Sequence, residues 1–405
     1  VGAVAFKKDL GNTLKLCEAL GNPHLRFKSI HVAGTNGKGS TCHMLSSIFQ
    51  CAGYKTGLYT SPHLKEFTER IRIDGEEVSQ AFVVDFVNRI LPAIHEIKPS
   101  FFEITVAMAF DFFAREKVDI AIVEVGLGGR LDSTNVITPL VSVITNISWD
   151  HKDLLGDTLP AIASEKAGII KKHVSVVVSE RQNTVEHVFI AKAKQEASEI
   201  VFASDVYSVK QEEEVIDILK DGNLYISDLH FPLHGSYQKQ NIPGVMQTID
   251  VVRREFGISD LHIRRGLEEV LIRTGLKGRW QQIHTNPTVV CDTGHNAGGV
   301  HEVMSQIARQ EFDNLFIVWG MVKDKDTSDI LRLLPKHAYY FFCQAKIPRA
   351  MDAVELCDRA HQFGLKGEAV PDVNEAKKRA LAKSTSKDFI LIGGSTYVVA
   401  EIEEL

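Results

Sequence analysis

The segment Gly34-Thr35-Asn36-Gly37-Lys38-Gly39-Ser40-Thr41 gathers glycines, a lysine and two adjacent hydroxyls, a set suited to holding a polyphosphate. Glycines let a backbone wrap closely around phosphate oxygens. Lys38 would add a point charge near the outer phosphates, and Ser40 or Thr41 a hydroxyl for Mg²⁺. The common form of such a loop is G-x-x-x-x-G-K-[ST]. Here only Thr35 and Asn36 separate Gly34 from Gly37, and Gly39 intervenes between Lys38 and Ser40. A chance Gly-rich turn before a helix is the plainer reading, and the apolar strand ahead of the loop weighs against it.

Further candidates stand at the ends of apolar runs. Val123-Glu124-Val125 leads into Gly126-Leu127-Gly128-Gly129-Arg130, and Ile144-Thr145-Asn146 leads toward Asp150-His151. Magnesium prefers hard oxygen ligands, so Glu124 with hydroxyls and phosphate oxygens makes a sensible ligand set. His151 taken alone reads equally as a cap partner or a surface residue. Lys166, in Ser164-Glu165-Lys166-Ala167-Gly168, reads by default as a solvated lysine on a short helix entered at Thr158-Leu159-Pro160 and closed by Gly168. Thr60-Ser61-Pro62-His63 and Phe101-Phe102-Glu103 read as turn and helix-entry chemistry, and equally as borders of a flat ring ligand.

The elements that must position these groups follow from periodicity. Ser29 to Ala33 reads as a short buried strand, and Met44, Leu45, Ile48, Phe49 and Ala52 recur at helical spacing until Gly53. The glycine-rich loop therefore joins a strand to a helix, where bare N–H groups favour an anion. Strand-like runs return at Asp119 to Val125 and Leu140 to Thr145 around a helical stretch from Ile104 to Phe113, the alternation of a parallel sheet. Between Val201 and Pro232 the pattern alternates about Asp221-Gly222, a hairpin signal. Strand-like runs restart at Thr288–Cys291, Leu315–Trp319, Tyr339–Cys343 and Phe389–Ile392. The expected architecture is α/β: an N-terminal P-loop domain with a doubly wound parallel sheet and a small antiparallel β appendage over residues 1–282, then a Rossmann-like α/β domain over 283–405. The boundary is expected near Gly278 to Pro287.

A net charge of −6 and a pI near 6.3 argue against a dedicated nucleic-acid binder. The cysteines Cys17, Cys42, Cys51, Cys291, Cys343 and Cys357 are scattered without CxxC pairs, so neither a disulfide framework nor a zinc site is expected. No apolar run reaches the roughly 18 residues of a membrane span, and Val1 to Leu10 lack a leader pattern. A cytoplasmic enzyme without membrane or nucleic-acid partners is expected.

Taken together, the segments from His31-Val32-Ala33-Gly34 through Ser40, Thr60 to Leu64, Glu124 to Asn135, Asp150-His151, Leu155 to Thr158, Glu165 to Ile170, Gly278-Arg279, Asp292 to Asn296, Asp324-Lys325-Asp326 and Gly393 to Ser395 resemble the folylpolyglutamate synthase and dihydrofolate synthase family of Mur ligases. The short loop with its inserted glycine is that family's own form. Where the family usually shows His-Gln and Asp-Gly-Ala-His-Asn, this chain has Tyr237-Gln238 and Asp292-Thr293-Gly294-His295-Asn296.

The resemblance implies an ATP-dependent amide ligase that adds L-glutamate to folate or dihydropteroate through an acyl phosphate. It implies ATP contacts from Gly34, Thr35, Asn36, Gly37, Lys38, Gly39, Ser40 and Thr41, completed by Asn241, Arg279, Asp292 and His295. Ser40, Ser61, Glu124, His151 and a carbamylated Lys166 would serve two Mg²⁺ sites, with Lys38, Lys166, His151 and Glu124 in catalytic roles. Thr60, Ser61, Pro62, His63, Phe101 and Phe102 would border the folate, and a monomer is expected. The alternatives are a cell-wall Mur ligase, which carries a further domain ahead of a loop that here begins at residue 34, and a P-loop kinase or nucleotide switch, which has no need of the second α/β domain.

Overall fold

The computed structural model of this chain describes residues 9–212, 215–323 and 327–405; Asp324, Lys325 and Asp326 lie outside the described residues. The chain forms two compact units, one reaching to Pro232 and resuming at Gln238–Gly275, the other comprising Leu233–Tyr237 and Leu276–Leu405.

The first unit is built on eight strands: β1 (Lys28–Ala33), β2 (Thr56–Tyr59), β3 (Ile71–Ile73), β4 (Glu76–Glu77), β5 (Ile120–Glu124), β6 (Val141–Ile144), β7 (Ser175–Val178) and β8 (Ile200–Phe202). They lie in the order β4-β3-β2-β5-β1-β6-β7-β8. All neighbours run parallel except β3 and β4, which add antiparallel at one edge. Strand β1 sits centrally between β5 and β6 with Ser29 to Ala33 buried, because helices cover both faces of the sheet. Such strands read as continuous apolar runs rather than alternations.

The helix Lys38–Cys51 follows β1, and its residues Ser40 to Phe49 are all buried, so it is wrapped on every side. One contact comes from Gly266 in the helix Asp260–Glu268. A Cβ at Gly266 would stand 2.5 Å from Ile48 Cα and 2.8 Å from Ile48 N, backbone atoms that cannot rotate away. Gly266→Ala is therefore expected to destabilise the fold by about 1–3 kcal/mol. The urea midpoint measures it; an unchanged midpoint would show that the two helices separate freely.

A three-stranded antiparallel sheet, β9 (Tyr207–Glu212), β10 (Val215–Lys220) and β11 (Asn223–His230), forms the appendage. Asp221 and Gly222 join β10 to β11 with φ of 50° and 76°, the left-handed pair a tight two-residue hairpin requires.

The second unit contains β12 (Gln281–Thr285), β13 (Thr288–Cys291), β14 (Leu315–Trp319), β15 (Tyr339–Phe342), β16 (Lys366–Ala369) and β17 (Phe389–Gly393). Their order is β12-β13-β17-β14-β15-β16, parallel apart from the β12–β13 hairpin. Strand β12 occupies part of the stretch whose Gly, Thr, Asn and Pro content suggested a boundary. Val290, Ile317, Trp319, Phe342 and Leu391 center the core of this unit. All six cysteines are unpaired thiols. Among the described residues, no helix is long and apolar enough to cross a membrane.

Candidate active site

The glycine-rich loop is shaped at two positions. Gly34 has φ +144°, and a Cβ there would stand 1.8 Å from Thr145 Oγ1; Gly37 has φ +84°, and a Cβ there would stand 2.0 Å from Asn241 Oδ1. The end of β6 holds the loop from one side. Thr35 N donates to Asn146 O at 2.8 Å, and Asn36 N to Asn146 Oδ1 at 3.0 Å. Thr145 Oγ1 donates to Asn36 O at 2.6 Å, and Ser148 N to Thr35 Oγ1 at 3.0 Å. Gln238 and Asn241 of the helix Gln238–Phe256 close the other side: Asn241 Nδ2 donates to Gln238 Oε1 at 2.8 Å, and Gln238 Nε2 to Ser40 Oγ at 3.1 Å. Lys38 Nζ donates back to Gly34 O and Thr35 O, each at 3.1 Å.

Lys166 is not the solvated lysine its neighbours in sequence suggest. It is 4% exposed, and its Nζ donates to Gly34 O at 2.8 Å. Burial, reinforced by the positive charge of Lys38, lowers its pKa to about 7, so much of it is a neutral amine near neutral pH. Its helix, Leu159–Ala167, starts where Thr158 Oγ1 accepts from Ala161 N at 3.2 Å. The Gly126–Arg130 turn lies directly on the end of this helix: a Cβ at Gly129 would stand 2.9 Å from Lys166 O. Asn135 Nδ2 ties the two together through Arg130 O and Gly168 O, both at 3.0 Å.

Glu124 ends β5 beside Val32 of β1 and is 5% exposed; Ser61 N donates to its Oε2 at 2.9 Å. Glu124 and Ser61 are thus brought together, near the strand that feeds the loop. His151 stands at the start of the short helix Lys152–Leu155 with φ 48°, its Nε2 3.8 Å from Asp150 Oδ1. Among the described residues, no three His, Cys, Asp or Glu side chains converge as a metal-binding group. The Ser40 hydroxyl and the Glu124 carboxylate are hard oxygens of the kind a magnesium ion shares with phosphate and water. The fit to a divalent cation held partly by nucleotide is good.

Of the ring-border candidates, Thr60 N donates to Arg70 O at 3.0 Å, and His63 Nδ1 accepts from Arg70 Nε at 2.9 Å. Phe101 is 53% exposed, whereas Phe102 packs under Gly126, where a Cβ would stand 2.3 Å from its Cζ. Pro62 follows Ser61 through a cis peptide bond.

In the second unit Asp292 organises a buried cluster. It accepts from Tyr237 OH at 2.6 Å, Trp280 N at 2.7 Å and Gly294 N at 2.7 Å. Burial raises its pKa against these bonds and the charge of Arg279. Arg279 donates to Thr293 Oγ1, and His295 Nδ1 meets Thr293 O at 3.0 Å. Asn296 caps the helix Ala297–Ile307. Ser148 is a contributor that the motifs did not single out; a polar group just past the end of a strand flanking the loop strand is the signal that would find it.

His31, the residue of β1 three before Gly34, is wholly buried with Nε2 2.8 Å from Thr134 Oγ1. Thr134 Oγ1 itself donates to Asp132 Oδ1 at 2.5 Å, so His31 Nε2 carries the proton and donates. Burial, with a smaller effect from Lys171, depresses its pKa from 6.5 to about 3. The unfolded chain then binds the proton first as pH falls below about 6.5, and stability drops by roughly 1.4 kcal/mol per pH unit down toward the folded value. Denaturation midpoints of wild type and His31→Gln are expected to diverge by that slope between about pH 6 and about pH 4. Parallel curves would contradict the assignment.

The Mur ligase middle domain matches residues 32–248, and the Mur ligase glutamate ligase domain matches residues 278–396. Fold and matched domains thus define an ATP-dependent ligase of the Mur type. The chain is 34% identical to the dihydrofolate synthase/folylpolyglutamate synthase of Bacillus subtilis, over 98% of this chain and 95% of that protein. It is 35% identical to the folylpolyglutamate synthase of Lacticaseibacillus casei, over 77% of this chain and 75% of that one. Among solved structures, E. coli FolC in complex with DHPP and ADP superposes with a TM-score of 0.88 at 28% identity, covering 99% of this chain and 93% of that chain. A bifunctional folylpolyglutamate synthase/dihydrofolate synthase with Mn, AMPPNP and L-glutamate bound gives 0.86 at 28% identity, covering 97% and 93%. This chain belongs to the dihydrofolate synthase/folylpolyglutamate synthase family, ATP-dependent ligases that add glutamate to folates.

Proposed function

We propose that the phosphate loop and Lys166 together activate a folate or dihydropteroate carboxylate for attack by glutamate. The observation that carries this reading is the buried Lys166 amine held on the carbonyl of Gly34. An ordinary nucleotide switch has no use for a second, half-neutral amine beneath its phosphate loop.

In this reading the backbone N–H groups of Gly34 to Thr41 and the Lys38 ammonium hold the ATP phosphates, and Asn241 fixes the loop at Gly37. Ser40, Ser61, Glu124 and His151 would hold magnesium in two sites, and the metal would supply neutralisation of phosphate charge. Thr60, Ser61, Pro62, His63, Phe101 and Phe102 border the folate. The Arg279–Thr293–Asp292 cluster supports the nucleotide role proposed for Arg279, Asp292 and His295. Lys166 Nζ, when neutral, attacks carbon dioxide and loses a proton, giving a carbamate that replaces a cation with an oxygen ligand.

A carboxylate is a poor acyl donor. One of its oxygens takes the γ-phosphoryl group, ADP leaves, and the glutamate amine attacks the carbonyl carbon of the acyl phosphate. Phosphate departs with the oxygen it gained, and the amine loses a proton to give the amide. Positioning and charge neutralisation dominate such phosphoryl transfer. Substrate labelled with ¹⁸O in its carboxylate is expected to deliver one labelled oxygen to the released phosphate. Unlabelled phosphate would overturn the acyl-phosphate route. The unpaired thiols support a reducing compartment, and we place the reaction in the cytoplasm.

A further inference from the structure

Among the described residues, three lysine or arginine side chains are nine-tenths or more buried: Arg70, Lys166 and Lys377. Lys166 is bound to the phosphate loop, and Lys377 is paired with Glu404 at 2.5 Å. Arg70 has neither kind of partner. It ends the short turn Phe67–Arg70, and its Nε donates to His63 Nδ1 at 2.9 Å. His63 accepts through Nδ1, so its proton is on Nε2 and the ring is neutral; burial and then the charge of Arg70 lower its pKa. No carboxylate stands within ion-pair reach of Arg70 among the described residues.

The surroundings of the guanidinium are aromatic. Its carbon lies 5.7 Å from the centroid of the half-exposed Phe101, and Phe67 meets Phe101 edge-on at 5.8 Å. Tyr59 OH is fully buried beside Arg70, whose charge is the leading influence offsetting that burial. Only Nε of Arg70 is engaged by His63, and its terminal nitrogens are not sealed away from water, so the fork stays open to a ligand bearing oxygens. Guanidinium donors lie in one plane as a fork, matched to two coplanar acceptors.

We propose that Arg70 determines specificity for the carboxylate substrate, its fork taking a planar edge with two coplanar acceptors while the substrate's ring lies against Phe101. The assignment rests on the ligase reading above. That edge belongs either to a carboxylate or to the carbonyl-and-nitrogen side of a pterin ring.

Arg70→Lys keeps the charge without the fork, and Arg70→Met keeps only the stem. Both are expected to raise KM for dihydropteroate by about 10- to 100-fold, with kcat changed less than about threefold and KM for ATP unchanged. p-Aminobenzoylglutamate, which has carboxylates and no pterin ring, serves as a competitive inhibitor. Weaker inhibition of the variants assigns the fork to a carboxylate, and unchanged inhibition alongside a raised dihydropteroate KM assigns it to the ring edge. An unchanged dihydropteroate KM in an active Arg70→Lys enzyme, or an equal rise in KM for ATP, overturns the assignment. If Arg70→Met fails to fold, Arg70→Lys alone decides. Wild-type protein that, with glutamate, releases no phosphate on addition of either dihydropteroate or tetrahydrofolate overturns the ligase reading itself.

Discussion

Lys166→Ala is expected to lower kcat by about 1,000-fold, the scale on which removing one preorganised electrostatic partner acts, while leaving the protein folded. The side chain is buried against Gly34 O, so alanine leaves a gap of roughly a lysine stem beneath the phosphate loop. Little stability should be lost, because burying an amine against one carbonyl gains little over leaving it in water. If the working form is a carbamate, formate or acetate should partly restore the variant by filling the gap with a carboxylate. Carbamate formation needs the neutral amine, and the pKa of about 7 sets its window. Wild-type activity should therefore fall as pH drops below about 7, where the amine is increasingly protonated, and added bicarbonate should restore part of it. A Lys166→Ala enzyme with full activity, or native protein whose intact mass shows no added carbon dioxide in bicarbonate, would contradict the assignment.

Gly37→Ala is expected to lower kcat/KM for ATP by about 100-fold or more. Gly37 has φ +84°, in the left-handed region that alanine adopts only under strain. The added methyl would also stand 2.0 Å from Asn241 Oδ1. Asn241 cannot step aside cheaply, because its amide holds Gln238, which in turn holds Ser40 Oγ. Moving it misplaces the hydroxyl proposed for the metal and the loop amides proposed for phosphate. A misplacement of about 1 Å is enough to cost that much. Titration of ADP onto the variant by calorimetry checks the binding part; wild-type affinity together with wild-type kcat/KM would show that the loop does not depend on this contact.

How much of this was legible in the sequence depended on how local the determinants are. β1, β5 and β6 announce themselves as apolar runs because both sheet faces are covered, and Asp221-Gly222 announces its hairpin through backbone conformation. β16 is the polar run Lys366-Gly367-Glu368-Ala369 at a sheet edge, where nothing forces apolar side chains. Strand β12 hides in a stretch rich in turn formers and is made a strand by pairing with β13. In the site, the glycine pattern shows directly that a backbone must approach phosphate. Burial of Lys166 and Arg70 is a tertiary fact: each stands among charged neighbours in sequence, Glu165 and Glu69, and reads as solvated until distant segments cover it.

Whether this loop serves amide synthesis is decided by phosphate release from ATP with glutamate, comparing dihydropteroate, tetrahydrofolate and no carboxylate substrate. Release is expected only when glutamate and a folate-type carboxylate are both present, with one amide formed per phosphate. Steady release that is indifferent to glutamate, with no amide product, would contradict it.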